Sequence, residues 1–257
     1  MAQKKTGGTT IERTPLFDDV RKFHNVGGHY NIQGMLTSIS TTPKNKLKNY
    51  VKAVTVRHPC ERFISAFNYL SSEKANLGDQ RWAIKHINNK TISEYVKSQE
   101  IIGFQDFKEC AHLQLQHRYI YNKRICGVDT ILCQEQWDEG INRLFRKVRQ
   151  SVPEYLMADK ENAAYTREGH ALKLRHETCA DLEVETRQTI ERYYAMDYCL
   201  FDYQSQPPPP NEGVCVGSLK GKQDFTDKFS SCLPIVGRLR NNNFDTFFYS
   251  INVHARV

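Results

Sequence analysis

Two short segments of the chain combine residue types that bind phosphate groups. In the first, residues 5–10 (KTGGTT), two glycines precede a predicted helix. Backbone N–H groups at such a helix start are unpaired and can approach an anion closely. Lys5 adds a positive charge, and Thr9 and Thr10 add hydroxyl donors. The segment alone predicts either an anion-binding loop or a flexible terminal turn, because glycine pairs commonly mark turns.

The second segment, residues 57–65 (RHPCERFIS), follows a β-branched run at residues 50–56 that predicts a buried strand. Pro59 suits the first turn of a helix that is expected over residues 59–70. Arg57 then lies at the carboxyl end of a strand, where ligands of open α/β sheets bind, and Ser65 lies about two turns along the helix. The alternative is that Arg57 pairs with Glu61 and Ser65 is a small packing residue.

Both segments resemble nucleotide-binding motifs of sulfotransferases that use 3′-phosphoadenosine 5′-phosphosulfate. Residues 5–10 are similar to the 5′-phosphosulfate loop (P-K-T-G-G-T-[ST]), and residues 57–66 to the 3′-phosphate site (R-H-P-x-E-R-x-x-S-A). Their order and spacing resemble the Golgi-type carbohydrate enzymes, such as the heparan sulfate 2-O and 6-O and the chondroitin 4-O sulfotransferases. Weaker similarity at Gln116, residues 129–132 and residues 193–203 extends the resemblance over about residues 4–203.

The resemblance implies an α/β fold with a P-loop-like parallel sheet flanked by helices. It implies transfer of a sulfuryl group from 3′-phosphoadenosine 5′-phosphosulfate to a carbohydrate hydroxyl, with no metal ion. The sulfotransferase domain is expected over residues 1–204, and a proline-led C-terminal extension over residues 205–257. The residues expected to bind the nucleotide are Lys5, Thr6, Gly7, Gly8, Thr9, Thr10, Arg57 and Ser65.

A catalytic base is expected between the two motifs. Sulfuryl transfer to a hydroxyl needs a base near that hydroxyl, and histidine has a suitable pKa. The resembling heparan sulfate enzymes carry a catalytic histidine in this interval, which implies His29 here. The alternative for His29 is a loop histidine bonded to backbone, and His24 is the second candidate for the base. Lys5 is the other expected catalytic residue, because it can stabilise charge on the departing nucleotide oxygen.

The first residues depart from the family pattern. The family places an apolar strand directly before the phosphate loop, whereas this sequence has only residues 1–4 there, with Lys4 in place of the usual proline. The expectation is that the first strand of the sheet is truncated, and the alternative is that another segment supplies this strand. The membrane anchor typical of Golgi members would also lie in the missing region.

Composition limits the partners. The net charge of +7 suits an anionic nucleotide and, as one option, an anionic polysaccharide acceptor. No long basic run and no RNA-binding aromatic motif occurs, so nucleic acid is not an expected partner. The sequence has no apolar stretch of membrane-spanning length and no signal peptide near its start. A Golgi location is therefore expected from the resemblance alone. A glycoprotein is expected from the N-glycosylation triplet Asn89-Lys90-Thr91.

The eight cysteines form no C-x-x-C pair, which disfavours a zinc site. An even count permits disulfides, and Cys215 and Cys232, which bracket a short polar loop, are the first candidate pair. Apolar patterning predicts a strand at residues 128–132 and helices at residues 91–98, 110–121, 137–148 and 181–198. Residues 8–23 are also expected to be helical, but Pro15 interrupts them, and a short first helix that restarts with Pro15 in its first turn is one solution. The four prolines at residues 207–210 predict a linker. A turn and strand are expected within residues 241–248.

Two other functions compete with sulfuryl transfer. A relative that has lost activity would bind nucleotide or glycan without transfer. A phosphotransferase is disfavoured because the G-x-x-x-x-G-K-[ST] pattern and a clear magnesium carboxylate are absent from the sequence.

Overall fold

The computed structural model describes residues 51, 53–73, 75–122, 125–148, 178–205 and 222–240. Within these ranges the chain is helix-rich, with two small two-stranded sheets. The strands are β1 (Ala53–Val56), β2 (Tyr121–Asn122), β3 (Ile125–Cys126) and β4 (Thr130–Cys133). The helices are α1 (Pro59–Leu70), α2 (Leu77–His86), α3 (Ile92–Ile101), α4 (Gln105–Glu109), α5 (Trp137–Lys147), α6 (Val184–Tyr193), α7 (Ala195–Leu200) and α8 (Lys222–Arg240).

Strands β1 and β4 pair in parallel, with Val54 opposite Ile131 and Val56 opposite Cys133. Alternate side chains of a strand point to opposite faces. Val54 and Val56 accordingly pack in one apolar cluster with residues of α7 and α8, while Ala53 packs in another with residues of α5. The expected parallel pairing between helical layers is confirmed in this coarse form. The P-loop-like strand order stays a prediction.

Helix α1 begins and ends at the expected residues. Pro59 occupies its first turn, where the missing N–H costs nothing, and Glu61 adds negative charge there. The apolar side chains of α1 enter a core shared with α3, α4 and α6, in which the rings of Phe63 and Phe107 lie 5.2 Å apart. This core buries the apolar face of α1.

Helix α5 confirms the amphipathic helix expected after the second strand. Its apolar face packs on Leu132 of β4. The approach is close at Gly140, where a Cβ atom would lie 3.1 Å from Leu132 Cδ2. The helix expected at residues 91–98 is also confirmed, as α3. Thr91 and Glu94 form a capping box at its start.

Two helix predictions need correction. Residues 110–121 form no α-helix: they contain a short 3₁₀ turn at Gln116–Tyr119, and Tyr121 begins β2. The N–H groups of Gln116 and His117 donate to Asp197 instead of to an α-helical carbonyl. The single helix expected at residues 181–198 is divided into α6 and α7 at Tyr194. The helix expected at residues 8–23, the proline segment 207–210 and residues 241–248 lie outside the described residues.

Helix α8 was not expected from the sequence. Its Phe225 and Phe229 pack in the cluster that covers β1, and the Tyr121 hydroxyl donates to the Phe225 carbonyl at 2.9 Å. Cys232 of α8 forms a disulfide with Cys199 of α7. The predicted Cys215–Cys232 pair is therefore wrong, because packing of α8 against α7 brings a different cysteine to Cys232. The division of the chain after residue 204 stays a prediction.

Removing the Cys199–Cys232 bond by double substitution to serine is expected to lower the free energy of unfolding by about 3 kcal/mol, a mid-range value for native disulfides. The bond spans 33 residues of sequence and so restricts the unfolded chain. Denaturant unfolding of the oxidised wild type and the double variant measures the difference. Equal midpoints with equal slopes would contradict the expectation.

Candidate functional site

The candidate site lies where β1 ends and Arg57 follows. The Arg57 N–H donates to Gln116 Oε1 at 2.9 Å, and the Arg57 carbonyl accepts from Gln116 Nε2 at 2.7 Å. Gln116 is completely buried. One side chain thus holds both backbone polar groups of Arg57, which fixes the point from which the guanidinium projects.

A second layer holds Gln116 in place. The N–H of Gln116 donates to Asp197 Oδ2 at 2.6 Å, and the N–H of His117 donates to Asp197 Oδ1 at 2.9 Å. His117 Nδ1 lies 2.6 Å from the same Oδ1. Asp197, on α7, is completely buried, so its carboxylate depends on these donors for satisfaction. The end of β1, the 3₁₀ turn and α7 therefore form one hydrogen-bonded unit.

The Arg57 side chain is 25% exposed, and its Nη2 lies 3.8 Å from Glu61 Oε2. The ion pair of the alternative interpretation is thus present, but this separation is longer than a hydrogen bond. Glu61 Oε1 accepts the Cys179 N–H at 2.8 Å. Burial lowers the pKa of Arg57, and the nearby carboxylates of Glu61 and Glu135 oppose that change. The guanidinium stays charged at neutral pH because its ordinary pKa is very high.

Glu135 follows β4 and has other donors for both oxygens. The His58 N–H donates to Oε1 at 2.7 Å, and the Tyr203 hydroxyl donates to Oε2 at 2.7 Å. With Glu61 also engaged by Cys179, neither carboxylate depends on Arg57 for its hydrogen bonds. The planar guanidinium of Arg57 is therefore suited to donate hydrogen bonds to a further anion.

Ser65 lies on the partly exposed face of α1. The helix buries most of its residues, and Glu61 and Ser65 are among those that remain partly exposed. Residues four apart in a helix are surface neighbours. Because Arg57 contacts Glu61, the guanidinium and the Ser65 hydroxyl lie on the same side of α1. Both side chains can donate hydrogen bonds, and their binding of a phosphate group stays a prediction.

His58 has the geometry of a structural residue. It is completely buried, and its Nε2 lies 2.9 Å from the Gln204 carbonyl. The rings of Tyr198 and Tyr203 pack edge-on against it at 5.3 Å each. Burial lowers the pKa of His58 to about 4, with a smaller contribution from the charge of Arg57. The imidazole is therefore neutral at physiological pH and joins the strand–helix turn to residue 204.

This buried histidine predicts a loss of stability in mild acid. The pKa is about 4 in the folded state against an ordinary 6.5. Between these pH values the unfolded chain binds more protons, so stability falls as pH falls. The difference in free energy of unfolding between wild type and His58→Gln is expected to be about 2 kcal/mol smaller at pH 5 than at pH 8. Denaturant unfolding at both pH values tests this, and a constant difference would contradict it.

The other predicted site residues lie outside the described residues. These are the phosphate loop and the base candidates: Lys5, Thr6, Gly7, Gly8, Thr9, Thr10, His24 and His29. Their roles stay predictions. The structure adds Gln116, Asp197 and Glu135, to which the sequence analysis gave no role. Gln116 and Asp197 lie in segments of weaker family similarity, but the positioning role of all three residues depends on partners that are distant in sequence.

A different surface is unsuited to an anionic nucleotide. A cleft of about 350 Å³ between α3 and α6 is lined by one lysine, Lys97, and four glutamates, Glu94, Glu100, Glu183 and Glu185. Its negative charge disfavours phosphate. In the described part of the chain, no cluster of His, Cys, Asp or Glu side chains could hold a metal ion.

Comparison with known proteins gives one match. The model of the "Sulfotransferase family" matches residues 4–204, a region that contains Arg57, Ser65, Gln116 and Asp197. No curated protein and no solved structure matches the chain.

Proposed function

The chain belongs to the sulfotransferase family, and on that premise we propose that it transfers a sulfuryl group from 3′-phosphoadenosine 5′-phosphosulfate to a carbohydrate hydroxyl. Membership establishes sulfuryl transfer in general. The choice of donor and acceptor rests on the similarity of residues 5–10 and 57–66 to the nucleotide motifs of the Golgi-type carbohydrate enzymes.

The observation that supports the proposal most is the position of Arg57. It follows a buried parallel strand, its backbone is held by Gln116, and its guanidinium is partly exposed beside a long contact to Glu61. A phosphate can replace that contact, because bidentate arginine–phosphate hydrogen bonds are shorter and stronger. The position of Ser65 on the same side of α1 also supports the proposal that a 3′-phosphate binds here.

The remaining roles come from the sequence motifs. We propose that Lys5 and the backbone of residues 7–10 bind the 5′-phosphosulfate, which carries the sulfuryl group. His29 accepts the proton of the acceptor hydroxyl as the hydroxyl oxygen bonds to sulfur. Lys5 stabilises the negative charge on the oxygen that leaves with the nucleotide. A positive charge held near this oxygen before the reaction would lower the barrier.

The acceptor and the location belong to the same proposal. The resemblance to the Golgi-type enzymes supports a carbohydrate acceptor, with an anionic polysaccharide compatible with the +7 charge. It also supports residence in the Golgi. None of the helices in the described ranges is long and apolar enough to cross a membrane.

Two measurements on one preparation test the function. Titration calorimetry measures binding of 3′-phosphoadenosine 5′-phosphate, and a radiolabelled donor measures transfer to desulfated heparan and chondroitin chains. Wild type is expected to bind and to transfer, and Lys5→Ala is expected to lose transfer. Absence of binding by folded protein, or unchanged turnover in Lys5→Ala, would contradict the proposal.

The same measurements separate the competing functions. Nucleotide binding without transfer to any carbohydrate would favour a relative that has lost activity. Magnesium-dependent hydrolysis of a nucleoside triphosphate would favour a phosphotransferase.

A further inference from the structure

We propose that Asn89 is an N-glycan acceptor. Asn89-Lys90-Thr91 is the one Asn-x-Ser/Thr triplet in the 257-residue sequence, and this is the acceptor pattern for N-glycosylation. The bulk of such a glycan restricts it to surface loops of proteins that enter the secretory pathway. The inference rests on the proposed function only for the compartment, which the disulfides support independently.

Asn89 lies in the turn between α2 and α3, and its side chain is exposed. Asn88 and Asn89 have φ angles of 44° and 59°. Two consecutive left-handed residues make a sharp turn, and asparagine is one of the few residues besides glycine that tolerates this backbone. Within the described ranges, the Asn89 side-chain amide makes no hydrogen bond. A glycan on this amide would therefore break no contact of the described fold.

Thr91 also caps α3, so a variant that tests the triplet must keep this cap. Its hydroxyl donates to Glu94 Oε2 at 2.9 Å and accepts from the Glu94 N–H at 3.3 Å, which caps α3. Serine and aspartate also cap helices well. Thr91→Ser keeps both the cap and the acceptor pattern, whereas Thr91→Asp keeps a cap and removes the pattern. Asn89→Gln removes the acceptor and leaves the cap untouched.

The disulfides give independent support for the compartment. Cys60 is bonded to Cys179, and Cys199 to Cys232. Structural disulfides of this kind form in oxidising compartments, where N-glycans are also added. The two features together indicate a chain that folds inside the secretory pathway.

The test expresses the full chain behind a cleavable secretion signal in a eukaryotic cell line. Cell extract and medium are both examined for a mobility shift that peptide N-glycosidase F removes. Mass spectrometry then looks for Asn89 converted to aspartate by that enzyme. Wild type and Thr91→Ser are expected to show the shift, and Asn89→Gln and Thr91→Asp to lose it.

Each outcome decides the inference. No shift in wild-type protein that carries both disulfides, as seen by a non-reducing peptide map, would overturn it. A shift that persists in Asn89→Gln would overturn it as well. Loss of the shift in Thr91→Asp with an unchanged thermal midpoint assigns the loss to the triplet and not to misfolding. Nucleotide binding by the same wild-type preparation reports separately on the proposed function.

Discussion

Replacing Arg57 with alanine is expected to weaken binding of 3′-phosphoadenosine 5′-phosphate about 100-fold, which corresponds to about 2.7 kcal/mol. The guanidinium projects from a backbone held by Gln116 and is a quarter exposed. Its loss removes charge-assisted hydrogen bonds to the phosphate, which are among the stronger hydrogen bonds in proteins. Titration calorimetry on the folded variant gives the dissociation constant.

Three variants make this result specific. Arg57→Lys keeps the charge but loses the planar fork, so an intermediate loss of about tenfold is expected. Glu61→Gln removes the carboxylate charge beside Arg57 and keeps an oxygen for the Cys179 N–H, so affinity is expected to hold or rise. Arg143→Ala is the matched control, because Arg143 pairs with Glu139 four residues away, at 3.5 Å on α5.

If Arg57→Ala and Arg143→Ala both leave the nucleotide affinity unchanged, Arg57 does not bind phosphate. Its role is then structural, as the partner of Glu61 in an ion pair. In that case Glu61→Gln would reproduce the effect of Arg57→Ala on stability, because both variants remove the same ion pair. The two readouts, affinity and stability, thus distinguish a phosphate ligand from half of a surface ion pair.

Replacing Gln116 with methionine is expected to lower the free energy of unfolding by about 4 kcal/mol and to weaken nucleotide binding about tenfold. Methionine has a similar length but cannot satisfy the N–H and the carbonyl of Arg57, and each polar group left unpaired costs about 1–3 kcal/mol. The affinity falls because the Arg57 backbone is no longer fixed. Denaturant unfolding and calorimetry measure the two effects.

Gln114→Met is the matched control for this prediction. Gln114 donates to the Lys108 carbonyl at 2.9 Å and is only partly buried, so its loss is expected to cost about 1 kcal/mol or less. It has no contact with Arg57 among the hydrogen bonds of the described residues. If Gln116→Met loses stability and keeps full nucleotide affinity, Gln116 supports the fold without positioning Arg57.

The elements that the sequence predicted are those with local causes. Helix α1 has a proline in its first turn and apolar residues at helical spacing, so its bounds follow from nearby residues alone. Strands β1 and β4 have β-branched, apolar cores of four residues. The segment 110–121 also has helical spacing, but the N–H groups of Gln116 and His117 donate to Asp197, about 80 residues away. A local sequence pattern does not show that Asp197 competes with the α-helical carbonyls for these N–H groups.

The same distinction holds for the candidate site. Arg57 could be placed from the sequence because a strand end and a helix start bracket it. Gln116 could not, because its partner is 59 residues away. Glu135 accepts the His58 N–H across 77 residues, and this contact depends on the parallel pairing of β1 with β4. Sequence patterns therefore predicted the group expected to bind phosphate, but not the groups that orient it.

Helix α8 has a practical consequence for shortened versions of the protein. The family match ends at residue 204, yet Cys199 within it is bonded to Cys232 beyond it. A protein truncated after residue 204 would carry an unpaired cysteine thiol at Cys199. It would also expose apolar side chains such as Tyr121 and Leu200 to water. We expect such a version to form disulfide-linked dimers and aggregates during purification. Soluble fragments for crystallisation should therefore extend at least to Arg240.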